Sequence, residues 1–538
     1  MIKAPRRSFL SGVSVLTLSA LIVKVIGLLY RIPLLDRLGT EGMGYFNTAY
    51  ELYALFCVIS TAGLPVAMSV LISSALSAGR HGDAERVYRV ARNAFLVIGT
   101  AGTLLLWGLA RPFAALLGND QAAACMRAIA PTVFLICLSS AYRGFFQGHR
   151  NMVPTALSQI IEAAGKLLLG LLFASVARAR GANLSTTAAF AVLGLTVGTA
   201  LSVLYLFLHK QLFDRRTDVA ALPAAAETPG RVVLRSLAAT AVPITLGAAV
   251  ISLTKCIDLA LILRRLQAVG YTAAEANALY GCYSTLAVPV FNVLPALTSS
   301  VALSVVPTLS AAIGRGRDGE GEVRRAASSA LGMTLWLSLP AALGLSVFAQ
   351  DILSLLFAGQ PAAVAEATPW LSCLGLSVPA ACLVTVTGAM LQAAGKADRP
   401  IRSMLAGVSA KMIVEYILLG ADGWGMAAAP VSSLLCDTVI VAINLYFLAR
   451  HAPAMLPTLR EGARLVLLPA AFAAVAVGAV KLLRPVLGWQ TVTARHTVGA
   501  VLAVMCLYGG LMLLTKIPRR HTPVGRHPTA GRHPLADD

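Results

Sequence analysis

Apolar segments of around twenty residues recur from one end of this chain to the other, and they limit what it can fold into. A helix of about 20 residues rises roughly 30 Å, the thickness of a bilayer's hydrocarbon core. In lipid every backbone N–H and C=O must find its partner inside the protein, which leaves only helices and closed barrels. The ten-residue alternation of a membrane barrel is absent. Of 538 residues, 57% are hydrophobic and 13% charged, about half the charged share of a soluble domain. The expected fold class is therefore an all-α polytopic membrane protein. Fourteen spans are expected, near 9–34, 44–74, 93–117, 122–146, 153–177, 186–209, 236–263, 276–309, 327–357, 366–393, 401–420, 425–449, 463–483 and 496–515.

The net charge of +20 does not point to nucleic acid, because the basic residues sit in short gaps between apolar segments. Alternating the spans from a cytoplasmic N-terminus puts most loop Lys and Arg inside, as the positive-inside rule requires. Both termini are then expected in the cytoplasm of a cell-membrane protein. The start "MIKAPRRSFLSGVSVLTLSALIV" has a signal-peptide look, but its apolar stretch continues to Leu35 and reads as an uncleaved first helix. Nine cysteines are scattered without a CxxC pair, which argues against a metal centre or a disulfide framework. Walker A, HExxH and GxSxG sequences are all missing, so neither an enzyme nor a cofactor is implied.

Two phrases return in the second half. "FFQGHRNMVPTALSQIIEAAGKLLLG" (145–170) resembles "MLQAAGKADRPIRSMLAGVSAKMIVEYILLG" (390–420), matching Lys166 with Lys411. The basic loop 76–95 likewise resembles 309–331. Six spans separate the copies, so the repeat is parallel, about an axis along the membrane normal. The expected domains are a six-helix bundle over 1–211, a cytoplasmic linker over 212–230, a second bundle over 231–450, extra helices over 451–516 and a basic disordered tail over 517–538. Such a duplicated bundle is the architecture of an alternating-access transporter.

Ionisable residues inside the membrane need a partner or a wet cavity. Lys24 lies deep in span 1, and Arg31 follows, with Asp36 and Arg37 at the outer boundary. Lys255 of span 7 is the rough counterpart of Lys24, with Asp258 at i+3. Glu162 and Lys166 are at i,i+4 in span 5, as are Lys411 and Glu415 in span 11, so each pair shares a helix face. Each is expected to neutralise itself or to line a cavity between the bundles. Asn47, Glu51, Arg143, Gln147, Asn292, Asp437 and Asn444 read as helix–helix hydrogen-bonding residues. A surplus of Lys and Arg suits an anionic substrate such as a pyrophosphate headgroup.

"KVIGLLYRIPLLDRLGTEGMGYFNTAYELY" (24–53) and "YRGFFQGHRNMVPTALSQIIE" (142–162) resemble the stage V sporulation protein B group. That group lies within the multidrug/oligosaccharidyl-lipid/polysaccharide flippase superfamily and includes relatives of the lipid II flippase. The resemblance implies fourteen helices in two bundles around a V-shaped cavity. It also implies flipping of an undecaprenyl-pyrophosphate-linked saccharide, lipid II first among them, for peptidoglycan or spore cortex. Lys24 and Arg31 fall where the family holds the pyrophosphate, Arg31 displaced by one residue. The basic residues expected late in span 2 and in span 8 are absent. The expected partners are that lipid-linked oligosaccharide, membrane lipids and cell-wall synthesis enzymes. The competing readings are a cation-coupled multidrug exporter of the same fold and a non-transporting membrane scaffold for cell-wall enzymes.

Overall fold

The computed structural model describes residues 9–217, 228–486 and 494–514. The expected tail 517–538 and most of the expected linker lie outside the described residues, although one helix runs on to Thr217. The first part of the chain forms α1 (Phe9–Thr61), α2 (Leu64–Ser77), α3 (His81–Gly108), α4 (Ala110–Leu116), α5 (Ala123–Gly148), α6 (Val153–Ala179) and α7 (Leu184–Thr217). The second part forms α8 (Gly230–Ala268), α9 (Ala273–Cys282), α10 (Val288–Phe291), α11 (Val293–Ile313), α12 (Glu320–Val347), α13 (Ala349–Leu356), α14 (Pro361–Ala393), α15 (Asp398–Leu419) and α16 (Ala428–His451). Two more helices follow, α17 (Leu459–Leu483) and α18 (Ala494–Leu514). No strand occurs among the described residues.

Among the described residues, twelve segments are long and apolar enough to cross a membrane. The first of them, Leu18–Val58, doubles back on itself. At Gly39 the backbone takes φ 62° and ψ −179°, a conformation that favours glycine. The rings of Tyr30 and Phe46 consequently lie 6.0 Å apart, where a straight helix would separate them by about 24 Å. Splitting this segment at Gly39, and adding the 22-residue α15 with its Lys411 and Glu415, gives the fourteen crossings expected.

Burial shows how the helices assemble. At the end carrying the basic loops 78–80 and 314–319 there are two separate apolar clusters. One gathers Met68, Tyr88, Phe145, Phe146 and Leu206 of the first part of the chain; the other gathers Leu309, Leu331, Met390 and Leu448 of the second. At the opposite end a single cluster runs across both parts, from Leu34, Phe46 and Met126 to Leu263, Leu286 and Leu371. The two parts are therefore joined at one end and parted at the other, as in a V. The first half of α8 crosses over, burying Val233, Leu237 and Ala241 in the first part's cluster.

The joined end is a tight seam between α1 and α9. A Cβ on Gly281 would lie 1.9 Å from the Thr40 carbonyl oxygen, so no larger residue fits without the helices parting. A capping box in which Thr272 and Glu275 exchange hydrogen bonds starts α9; such a cap contributes about 1 kcal/mol. Beyond the seam, Arg484 at the end of α17 grips Asp351 of α13 through two 2.8 Å bonds, fixing the extra helices to the second part.

Candidate functional site

The seam is closed by polar contacts as well as by packing. Arg31 of α1 is half-buried, and its Nη1 donates to the Ser284 carbonyl oxygen at 2.6 Å. Ser284 belongs to a π-helical turn, Tyr283–Ala287, a rare geometry that clusters at functional sites. Asn47 Nδ2 donates to Ser284 Oγ at 2.8 Å and to Thr285 Oγ1 at 2.9 Å. Further toward the closed end, Asn277 Nδ2 donates to the Glu41 carbonyl and Asn119 Nδ2 to Asn277 Oδ1, both at 2.6 Å.

Lys24 lies seven residues before Arg31, about 10 Å along the helix and on nearly the same face. Gly27, between them on that stripe, has open space beside it. Lys24 is exposed, as is Lys255 one residue before Cys256, which is buried in the joined cluster. On α8, Lys255 points to the side opposite Leu253, Ile257 and Ala260, which line a separate apolar groove. Among the described residues, none of Lys24, Arg31 and Lys255 belongs to an ion pair. Glu51 lies within electrostatic reach of Arg31 without an ion pair, and Lys24 and Lys255 are exposed.

The two i,i+4 pairs behave differently from a self-contained acid–base pair. Glu162 Oε2 accepts from Arg143 Nη2 of α5 at 2.8 Å, and Arg143 Nε donates to Ser158 Oγ at 2.9 Å. Lys166 instead lies over three rings of α1, with Nζ 4.5 Å from the Tyr50 centroid, 5.2 Å from Tyr30 and 5.7 Å from Phe46. In the repeat-related helix, Lys411 Nζ does approach Glu415, at 3.8 Å, but its nearer partner is Asp258 of α8 at 2.5 Å. Asp258 is therefore engaged by Lys411 and not by its neighbour Lys255. Glu415 is fully buried and neither carboxylate oxygen has a hydrogen-bond partner among the described residues. Lys411 is its ion-pair partner and also pairs with Asp258.

The boundary residues are likewise placed by tertiary contacts. Arg37 Nε donates to Ser175 Oγ at 2.6 Å, and exposed Asp36 accepts from Gln360 Nε2 at 3.5 Å. Arg31, by contrast, is drawn into the seam, as the turn at Gly39 lays α1 against α9.

Comparison with known proteins supplies the frame for this geometry. The model of a family described as "Polysaccharide biosynthesis protein" matches residues 9–312, more than half of the chain, and a second, MatE, matches residues 284–417. The chain belongs to the polysaccharide biosynthesis protein family. Among curated relatives, the Bacillus subtilis (strain 168) uncharacterized membrane protein YabM is 27% identical over 81% of this chain and 79% of its own. Lipid II flippase MurJ of the same organism is 26% identical over 96% of this chain and 97% of its own. Stage V sporulation protein B, again from that organism, is 25% identical over 57% of this chain and 58% of its own. A solved structure of lipid II flippase MurJ in an inward closed conformation superposes with TM-score 0.66, at 14% identity, over 93% of this chain and 98% of the other.

This family member is thus a multi-pass membrane protein of the multidrug/oligosaccharidyl-lipid/polysaccharide flippase superfamily, built as a transporter. Sequence reasoning underrated Arg143, which carries an ion pair as well as the helix–helix hydrogen bonds expected of it. It also missed the aromatic cage of Lys166. Its signal is visible in "YFNTAYELY", where Phe46, Tyr50 and Tyr53 recur at i, i+4 and i+7 on one helix face. Asn444 bears out the reading as a helix–helix residue, accepting from Ser403 Oγ at 2.6 Å and donating to Thr387 Oγ1 at 3.0 Å.

Proposed function

We propose that this protein is an alternating-access flippase that carries an undecaprenyl-pyrophosphate-linked saccharide, lipid II first, across the cytoplasmic membrane for peptidoglycan or cortex synthesis. Both termini and the open side of the V face the cytoplasm in this reading, as the basic loops favour. The observation that supports it is Arg31 bonded across the seam to the Ser284 carbonyl, with Lys24 on the same stripe of α1 and Lys255 on α8 both exposed and outside any ion pair among the described residues. The end-to-end match to a lipid II flippase supports the substrate class.

The diphosphate enters the parting between the bundles and receives charge-assisted hydrogen bonds from the two lysines. Arg31 reaches it by exchanging the Ser284 carbonyl for a phosphate oxygen, a stronger acceptor. That exchange removes a bond across the seam, so substrate binding itself favours opening of the far side. The polyprenyl tail stays in lipid, against the exposed apolar face of α1 that carries Leu18, Ile22, Val25 and Leu29.

The test is rescue of a bacterium depleted of its own lipid II flippase. The wild-type chain is expected to restore growth, and Lys24→Ala and Lys255→Ala to fail at normal membrane levels. Rescue by both variants overturns the site. Failure of the wild-type chain at good expression overturns lipid II as substrate.

A further inference from the structure

A second feature lies on the opposite side of α8 from Lys255. A groove of about 640 Å³ runs between α1 and α4 on one wall and α8 and α15 on the other. Leu52, Phe113 and Leu116 face Leu253 and Ile257 across it. Leu253 to Arg264 spans eleven residues, about 16 Å, which is half the hydrocarbon thickness of a bilayer. The groove therefore has the length of one acyl chain.

Its polar end is cationic. Arg264 is exposed and spends one donor, Nη2, on the Ala115 carbonyl at 3.0 Å. Arg265 stacks 4.3 Å over the Tyr416 ring, and its Nε donates to the Tyr416 carbonyl at 3.3 Å. Neither guanidinium forms an ion pair among the described residues. Glu41 and Asp120 border the adjoining polar cavity that Arg264 also touches, yet neither bonds to it. Two uncompensated guanidiniums above an acyl-length apolar slot match a phosphate above a fatty chain.

We propose that this groove binds an anionic phospholipid, one acyl chain between the walls and the phosphate on Arg264 and Arg265. The walls belong to both halves of the protein. Arg264 and Gln267 already tie α8 to the Ala115 and Gly118 carbonyls, the latter at 2.7 Å. A lipid seated here bridges the two halves beside the closed seam and holds it shut, so release of that lipid favours opening.

Native mass spectrometry of the full chain, titrated with phosphatidylglycerol or phosphatidylcholine of the same acyl composition, tests this. Phosphatidylglycerol is expected to bind about tenfold tighter, from roughly 1 kcal/mol per arginine at a membrane surface, with water competing for part of it. Arg264→Gln with Arg265→Gln should erase the preference. Leu253→Trp, which fills the slot and leaves the arginines in place, should weaken both lipids. Equal binding of the two lipids by the wild-type chain overturns the proposal, as does a preference that survives both variants. Tighter binding of a polyprenyl phosphate than of phosphatidylglycerol overturns the occupant, and none of these readouts depends on transport.

Discussion

Lys411 Nζ lies 2.5 Å from Asp258 Oδ1 and 3.8 Å from Glu415 Oε2, so one ammonium serves two carboxylates between α8 and α15. Removing it strands a fully buried carboxylate and a half-buried one. Breaking a buried pair from one side is strongly destabilising, whereas removing all partners together is often near neutral. Lys411→Met should therefore lower stability by about 3 kcal/mol, read from thermal unfolding in detergent. Lys411→Met combined with Asp258→Asn and Glu415→Gln should recover most of the loss. A triple variant as unstable as the single one would mean that the lysine acts through packing alone.

The first bundle distributes its charges differently, and a double-mutant cycle separates the two arrangements. Arg143→Met and Glu162→Gln should couple by about 1–2 kcal/mol, since the pair is 2.8 Å apart and largely shielded from water. Glu162→Gln and Lys166→Met should couple more weakly, as no ion pair joins the two among the described residues. Equal couplings in both cycles would restore the self-neutralising pair within α6.

How far such features are legible in the sequence depends on their range. Span length is a local property, and it survived into the structure. The aromatic cage is half-legible, because Phe46 and Tyr50 announce a common face but nothing announces that Lys166 of another helix meets it. The partners of Glu162 and Asp258 are not legible at all. The i,i+4 rule names a neighbour on the same helix, while Arg143 and Lys411 reach in from different ones. Arg31 shows the same limit. Its position suggests the lipid–water boundary, yet the backbone turn at Gly39 decides that it meets Ser284.

Gly281 offers a test of the seam. Its Cβ position falls 1.9 Å from the Thr40 carbonyl, so Gly281→Ala must push α9 away from α1. The closed end should then open more often, with little change in the two clusters at the basic end. A cysteine placed at Asn47, now bonded across the seam to Ser284 and Thr285, should label with a membrane-impermeant maleimide about tenfold faster in the Gly281→Ala background. Unchanged labelling would show that the seam does not govern access from that side.

Lys24 and Lys255 make a prediction independent of growth. A charge-assisted hydrogen bond is worth about 1.5–3 kcal/mol, or roughly ten- to a hundredfold in affinity. Lys24→Ala and Lys255→Ala should each weaken binding of farnesyl pyrophosphate to the purified protein by at least about tenfold. Their effects should couple in a double-mutant cycle, because both lysines hold the same diphosphate. Lys24→Arg should retain most of the affinity, since a guanidinium also gives phosphate charge-assisted hydrogen bonds. Asp36→Asn, three residues before the turn at Gly39 and beside Gln360, should leave it unchanged. If alanine at both lysines leaves the affinity intact, the diphosphate is held elsewhere.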